Sequence, residues 1–470
     1  MNAGLRVARA ALGDQRAWVV GGVLRDRVLG RDSADVDVVL DGDPADGARA
    51  VAQAAGGAAC FELSQEFGAW RVVARDRSWQ VDVEPLRASS LEADLALRDF
   101  TANAIAEPIG GGAPVDPLGG LEDLSARRLR MTGPGAFADD PLRVLRLVRV
   151  AVELDLVPDR ATARTAAEAA PGLARVSAER VFVELRRIVS ARAALRGLEL
   201  MTDVGATRVV MPELEALRGV EQNRFHHLDV YGHTLEVLEQ TIALSADPGP
   251  LARDELARAR LASLLAQPLA DELTRAEALR WGALLHDAAK PLTRGVRPQD
   301  GRVTFLGHDV RGAELARDVL GRLRASERLR VHVAALVRRH LSLGFLVHEP
   351  QPLARNTVFA YLQACSPVEV DVTLLSVADR LATRGDRAQE SIAAHLAVAR
   401  EMLPEALRWH ADGPPAPLVS GDELIAELGI APGRRLGALL AGLSEAQFVG
   451  EVRTRQAALA YARRQLADGG

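Results

Sequence analysis

Two aspartates and two glycines near the start of the 470-residue chain carry the first recognisable chemistry. In the run DVDVVL, Asp35 and Asp37 alternate with valines, the period of a strand, so their carboxylates point to one face. Such a pair repels itself unless a cation sits between the carboxylates, and hard oxygen ligands favour magnesium or manganese. Just upstream, WVV leads into Gly21-Gly22 and a short helical stretch with Arg25 and Asp26. Two glycines let the backbone approach a ligand closely, and the amides that open the helix face outward as anion donors, with Arg25 one turn on. A lone D-x-D is ordinary acidic surface and a lone G-G is a turn. Joined in one strand-turn-helix-strand unit from Trp18 to Leu40, they read as a site where a triphosphate lies with its reacting phosphorus on a metal.

Further along, WRVVAR and WQVDVEPLR flank the polar DRS, a hairpin pattern in which Asp82 brings a third carboxylate from a neighbouring strand. An edge-strand acid facing water would look the same locally. In FADDPLRVLRLVRVAVEL, Asp140 and Arg143 are three apart on an apparent helix, and Arg146 and Arg149 repeat the spacing, as a solvated basic face also would.

The rest of the chain must position these groups. Its length calls for two to four domains. A hydrophobic fraction of 48% with only 4% aromatics suits a mostly helical body built on Ala and Leu. No apolar run approaches membrane-spanning length and no signal peptide opens the chain, so a cytoplasmic protein without a membrane partner is expected. The two cysteines, Cys60 and Cys365, lack metal-ligand spacing and read as buried thiols. A net charge of -5 does not advertise nucleic-acid binding, but it averages over faces, and locally basic segments exist.

The ordered series GGVLRD, DVDVVL, VDVEPLR, SLEADLALRDFTANAIA, DPLGGLEDL, DDPLRVLRLVRVA and SAERVFVELRRI resembles the class II tRNA nucleotidyltransferases, the CCA-adding enzymes, and their poly(A) polymerase relatives. The tail LVSGDELIAELGIAPGRRLGALL resembles that family's C-terminal part. The resemblance implies that Asp35 and Asp37 are the catalytic carboxylates holding Mg2+, with Asp82 a further acid, and that the metal polarises the RNA 3′-hydroxyl and the leaving oxygens of the triphosphate. Arg98, Asp99 and Asn103 match the family's RRDFTINA stretch and would hold the sugar and shape the nucleotide pocket; the first arginine of that motif is Leu97 here. Asp140 and Arg143 fall on the E/D-D-x-x-R positions that select the base without a template, and Arg146 and Arg149 go with them as nucleotide-binding. Cytosine and adenine both present an exocyclic amine beside a ring-nitrogen acceptor, so a carboxylate next to a guanidinium pairs with either. Uracil and guanine would meet an unpaired carboxylate, which is costly.

The implied activity is untemplated addition of CCA, or only its CC part, to the tRNA 3′ end from CTP and ATP; poly(A) synthesis is a lesser alternative. One departure bears on the choice. Between Arg87 and Ser90 only Ala88 and Ser89 remain, where members that build the whole CCA end carry a flexible loop. In the family, loss of that loop goes with enzymes that add the two cytidines and stop.

After Asn223 the composition changes: eight of the ten histidines lie between His226 and His348. YGHTLEVL with His233, ALLHDAAKP with His286 and Asp287, and SVADRLATRG with Asp379 resemble an HD-type metal phosphohydrolase domain, whose H…HD…D ligands converge from separate helices. Imidazoles and carboxylates suit a second divalent metal among Mn, Fe, Ni, Co and Mg. Lys290, the single lysine of the chain, follows the pair where a compact cation meets a phosphate, and His308 and His340 are further phosphate or second-metal groups. His226, His227, His332 and His348 read as structural or solvent-facing. An HD phosphohydrolase with a non-catalytic head is the alternative from a different class.

The architecture expected is α+β: a small mixed-sheet nucleotidyltransferase head over 1–140, an all-α neck over 141–222, an HD domain over 223–410 and a helical, tRNA-binding tail over 411–470.

Overall fold

The computed structural model describes residues 2–65, 68–222, 228–384 and 388–468. His226 and His227 lie outside the described residues. The chain divides into two compact units, Met1–Val210 and Met211–Gly470.

The first unit is built on a six-stranded sheet of β1 (Ala17–Val20), β2 (Asp35–Leu40), β3 (Ala59–Ser64), β4 (Ala69–Val73), β5 (Gln80–Pro85) and β6 (Ala106–Pro108), in the order β3-β4-β5-β2-β1-β6. Only β2 and β5 run parallel, so the sheet is mixed. The alternation read in the sequence decides the two faces. Val36, Val38, Val81 and Val83 are buried beneath the helices Ala3–Leu12 and Pro44–Ala54, while Asp35, Asp37 and Asp82 stand on the other face. The second helix comes so close at Gly47 that a Cβ there would lie 2.7 Å from Leu40. The β4–β5 hairpin matches expectation. β3, exposed along most of its length, and the three-residue β6 carry too little hydrophobic signal to be read from sequence.

The neck follows in the same unit. The helix Arg143–Leu154 packs on Ala178–Ser190 and Ala194–Asp203 through Val148, Val152, Ile188 and Gly197. It is not wholly helical: Val157–Pro158 pairs in parallel with Arg128–Leu129.

In the second unit the helices Val230–Ala246, Arg275–Leu285, Glu327–Arg339 and Glu369–Leu381 form a bundle, with two short ribbons at its edges. Arg275–Leu285 is buried on nearly every side and starts from a capping box in which Thr274 and Glu277 each satisfy the other's backbone. The tail helices Gly421–Leu428, Arg434–Val449 and Arg455–Asp468 share a small core around Leu424, Leu443 and Ala458. Among the described residues no single helix is long and apolar enough to cross a membrane.

Candidate active sites in the two units

In the head, the loop from β1 turns at Gly21, whose φ of 69° is costly for any side chain, and a Cβ there would meet Asp37 Oδ2 at 3.3 Å and Arg98 Nη1 at 3.4 Å. Glycine therefore keeps open the space between the carboxylate and the guanidinium. Parallel register places Asp37 beside Asp82, and antiparallel register places Asp82 beside Arg71, so these three side chains form one row across β2, β5 and β4. Burial, then the Asp82 and Glu84 carboxylates, push the Asp37 acid up to about 6, with Arg98 acting the other way. A divalent cation relieves that crowding, and the donor set, carboxylate oxygens with a glycine-lined opening, fits magnesium.

Around this row runs a chain of hydrogen bonds. Arg25 Nη1 donates to Asn103 Oδ1 (2.6 Å), Asn103 Nδ2 to Asp99 Oδ1 (2.9 Å), and Arg146 Nε to Asp99 Oδ2 (2.9 Å). Burial alone would raise the Asp99 carboxyl, but Arg146 and Asn103 hold it well below the usual carboxylate range. Asp99 is thus an ionised strut between the glycine-turn helix and the neck, while Gly22 and Arg25 remain at the turn.

The Asp140–Arg143 pair needs correction. Asp140 is not helical: it has φ −146° and ψ 101°, because Pro141 excludes the α conformation from the residue before it. Its Oδ2 accepts from Arg180 Nη2 (2.7 Å), while Arg143, the first residue of its helix, donates to the carbonyls of Leu97 (2.8 Å) and Ala136 (3.0 Å). The three arginines also do not form one basic face. Arg146 turns to Asp99, whereas Arg149, 8% exposed, is enclosed by Glu184 (2.6 Å) and Glu153 (3.0 Å) in the seam between neck helices. In this geometry both carboxylate partners of Arg149 come from the neck.

The second unit gathers its histidines and acids from five segments. His233 Nε2 lies 3.0 Å from Asp379 Oδ1, and His286 Nε2 lies 3.0 Å from Asp287 Oδ2. Asp287 faces two ways: Oδ2 meets Lys290 Nζ at 2.6 Å, and Oδ1 lies 3.4 Å from His308 Nε2. Two ligand groups result, His233 with His286 and Asp379, and Asp287 with His308 and His340, the donor atoms of each within 4.8 Å of one another. His286, His308 and His340 each turn Nδ1 to the carbonyl three residues back, at 2.8, 2.7 and 2.7 Å. A carbonyl only accepts, so Nδ1 carries the proton in each, and a neutral ring is left with its lone pair on Nε2; His286 differs, because against its burial the Asp287 carboxylate raises it above the usual imidazole range. The Nε2 atoms of His308 and His340 face each other at 3.3 Å, and with both rings neutral their lone pairs meet in a conflict that a metal ion between them would remove. Burial and the neighbouring His286 push His340 down to about 4, so it stays neutral. Burial opposes ionisation of Asp379, but its hydrogen bond with His233 and the charges of His233 and His286 keep it well below the usual carboxylate range. The residues fit divalent metal.

Three family models match in order: a poly(A) polymerase head domain over 17–130, a probable RNA- and SrmB-binding site of polymerase A over 156–217, and an HD domain over 230–384. An A-adding tRNA nucleotidyltransferase of Deinococcus radiodurans is 38% identical over 95% of both chains. A CC-adding tRNA nucleotidyltransferase of Thermus thermophilus is 36% identical, covering 95% of this chain and 92% of the relative. The chain belongs to the tRNA nucleotidyltransferase family.

Solved structures support the fold. A CCA-adding enzyme in an apo form covers 98% of this chain and 93% of its own length with a TM-score of 0.64 at 18% identity, and the Thermotoga maritima CCA-adding enzyme complexed with tRNA reaches 0.62. Set against this nucleotidyltransferase framework, sequence reasoning named most of the grouped residues but missed three. Arg71 was findable by counting back across the hairpin from Asp82, and Arg180 lies within a motif already singled out. Gln222, which accepts from Lys290 at 2.7 Å, has no local signature. Of the remaining histidines, His332 is buried and His348 is exposed.

Proposed function

We propose that the head, with Mg2+ held by Asp35 and Asp37, adds two cytidines from CTP to the 3′ end of tRNA and stops there. The observation that carries this is the link between β5 and the helix Leu91–Ala96. Leu86 N donates to Leu40 O (3.1 Å), Arg87 N to Asp94 Oδ1 (3.0 Å), and the Ser90 hydroxyl caps the helix through Ala93 N (3.2 Å). The link is tied down at Leu86, Arg87 and Ser90, and Asp94, which holds it, is fully buried. A switch from cytosine to the larger adenine requires the Asp140 and Arg143 groups to re-orient. The family's longer loop supports that movement, and this link has no slack to do so. The relatives include both A-adding and CC-adding enzymes at similar identity, so overall likeness does not choose between them.

Catalysis follows from the chain's own groups. The amides after Gly21 and the Arg25 and Arg98 guanidiniums receive the triphosphate, and Asn103 and Asp99 fix Arg25 against the pocket wall. Asp140 and Arg143 leave their present partners for the amine and ring nitrogen of the base. The metal supplies charge stabilisation at the reacting phosphorus. This reading makes tRNA and CTP the partners, divides the chain into head, neck, HD domain and tail, and places the enzyme in the cytoplasm. Incubation with Mg2+ and tRNAs ending before CCA or after CC, offered CTP, ATP or both, tests it at single-nucleotide resolution. Extension by two cytidines that stalls is expected; adenosine joined to the CC-ended tRNA would overturn the C-only reading.

For the second unit we propose a divalent metal centre, drawn from Mn, Fe, Ni, Co or Mg, with Lys290 and the histidines around it serving a phosphate ester. The facing Nε2 atoms of His308 and His340 carry that reading. Metal analysis of a His286→Ala, Asp287→Ala variant should show loss of bound metal relative to wild type; an unchanged content would remove the ligand assignment.

A further inference from the structure

The third carboxylate of the head is not free. Arg71 Nε donates to Asp82 Oδ1 and Arg71 Nη2 to Asp82 Oδ2, both at 2.7 Å, so the two oxygens of Asp82 are held in a planar two-point grip. The register of the hairpin makes this pairing, since Arg71 and Asp82 are directly opposed on β4 and β5, and Asp82 in turn lies beside Asp37. Without Arg71, Asp35, Asp37, Asp82 and Glu84 would crowd one face of two adjacent strands. Arg71 is the basic partner on that face of β4, and its side chain keeps 28% of its surface exposed against 14% for Asp82, so the guanidinium has room to leave while the carboxylate does not.

We propose that Arg71 is a positioning residue that withholds Asp82 from the head's divalent cation until an anionic substrate, the nucleotide triphosphate or the RNA backbone, draws the guanidinium away. An oxygen locked in a bidentate ion pair cannot also complete a metal's coordination shell without breaking the pair. A polyanion arriving beside the metal offers Arg71 an equivalent partner, so releasing Asp82 then costs little. Metal and nucleotide binding are thereby coupled: each strengthens the other by the same factor. The inference rests on the reading of Asp35 and Asp37 as metal-holding residues.

The test is Mn2+ binding to the full chain, followed through the free-ion resonance signal, with and without a CTP analogue whose α–β bridge cannot be cleaved. The histidine-rich centre of the second unit contributes equally to every protein compared, so differences report the head. In Arg71→Gln, nucleotide-free Mn2+ affinity at the head should tighten about tenfold, because one positive charge is removed and Asp82 is released. The further tightening produced by the analogue should shrink. The double variant Arg71→Gln, Asp82→Asn replaces a neutral pair with neutral amides of like size, and its nucleotide-free affinity should stay within about twofold of wild type. If Arg71→Gln leaves the affinity unchanged, Arg71 does not withhold Asp82 from the metal, and if the double variant loses affinity, Asp82 is already a ligand; either result overturns the proposal. If Asp37→Asn removes no Mn2+ site at all, the metal reading of the head fails independently of Arg71.

Discussion

Asp37→Asn is expected to lower nucleotide transfer on the order of 10³-fold or more while making the metal-free head more stable than wild type at neutral pH. Loss of activity follows from removing one of two carboxylates that fit the cation. The gain in stability follows from crowding. Asp37 stands beside Asp82 with Asp35 and Glu84 close by, and its acid is pushed from 3.8 up to about 6 by burial and those neighbours. Because the folded value lies above the unfolded one, folding favours the protonated form. That contribution is fully present below about pH 4 and is lost as pH rises through 6. Above that range wild type carries a charge it does not favour. Removing the charge should stabilise the head by about 1–2 kcal/mol, discounted for the part of Asp37 that reaches solvent. Amide hydrogen exchange on β2 and β5 reads this directly. Protection should rise in Asp37→Asn at pH 7.5, match wild type near pH 4, and be recovered by wild type with saturating Mg2+. Weaker protection in the variant at pH 7.5 would show that Asp37 supports the fold and is not strained by it.

Arg275→Ala is expected to destabilise the second unit by about 3–5 kcal/mol. Arg275, at 7% exposure, begins a helix buried along most of its length and holds Asp371, at 0%, through Nε at 2.9 Å from both carboxylate oxygens. It also donates to Pro367 O (3.0 Å) and contacts His410 Nε2 (3.1 Å), and His410 Nδ1 meets Glu369 at 2.9 Å. Truncating the guanidinium leaves a buried carboxylate without its counter-charge and two further polar groups, Pro367 O and His410 Nε2, short of a partner. Replacing both members of the pair with apolar residues, Arg275→Met with Asp371→Leu, should recover most of the loss, because the cost comes from the uncompensated charge and not from lost attraction. Urea unfolding followed through the tryptophans, two of which, Trp281 and Trp409, lie in this unit, checks both variants. A loss below about 1 kcal/mol in the single variant would mean that Asp371 finds another partner or takes a proton.

Local patterns carried far in this chain. The valines around Asp35, Asp37 and Asp82 placed three carboxylates on the sheet face opposite the helices Ala3–Leu12 and Pro44–Ala54 because a strand's side chains alternate whatever it packs against. The histidine and aspartate signals around His233, His286 and Asp379 did converge, since His233 and Asp379 sit on helices and His286 at the end of one, and the apolar faces of these helices pack inward. The spacing of Arg143, Arg146 and Arg149 did not reveal their partners. Equal spacing put them on neighbouring parts of one helix, yet their partners, the Leu97 carbonyl, Asp99 and Glu184, come from three distant segments. Helical periodicity says which way a side chain leaves the axis and nothing about what waits there. Asp140 was legible in principle, as the proline after it forbids the helix that its spacing to Arg143 suggested.

Read alone, the residues were enough for the family, the mixed head followed by helices, the glycine turn, the pair Asp35 and Asp37, and the gathering of candidate metal ligands in the histidine-rich region. All of these rest on residue type and near-neighbour spacing, which the backbone's own periods convert into geometry. That Asp82 is gripped by Arg71, that Asp140 answers to Arg180, that Arg149 is enclosed between Glu184 and Glu153, and that the second unit's candidate ligands fall into two groups emerges only once the chain has folded. Each of these is a choice of charged partner. Opposite charges attract without regard to sequence separation, and the shortlist of those within reach exists only once strands are in register and helices have packed.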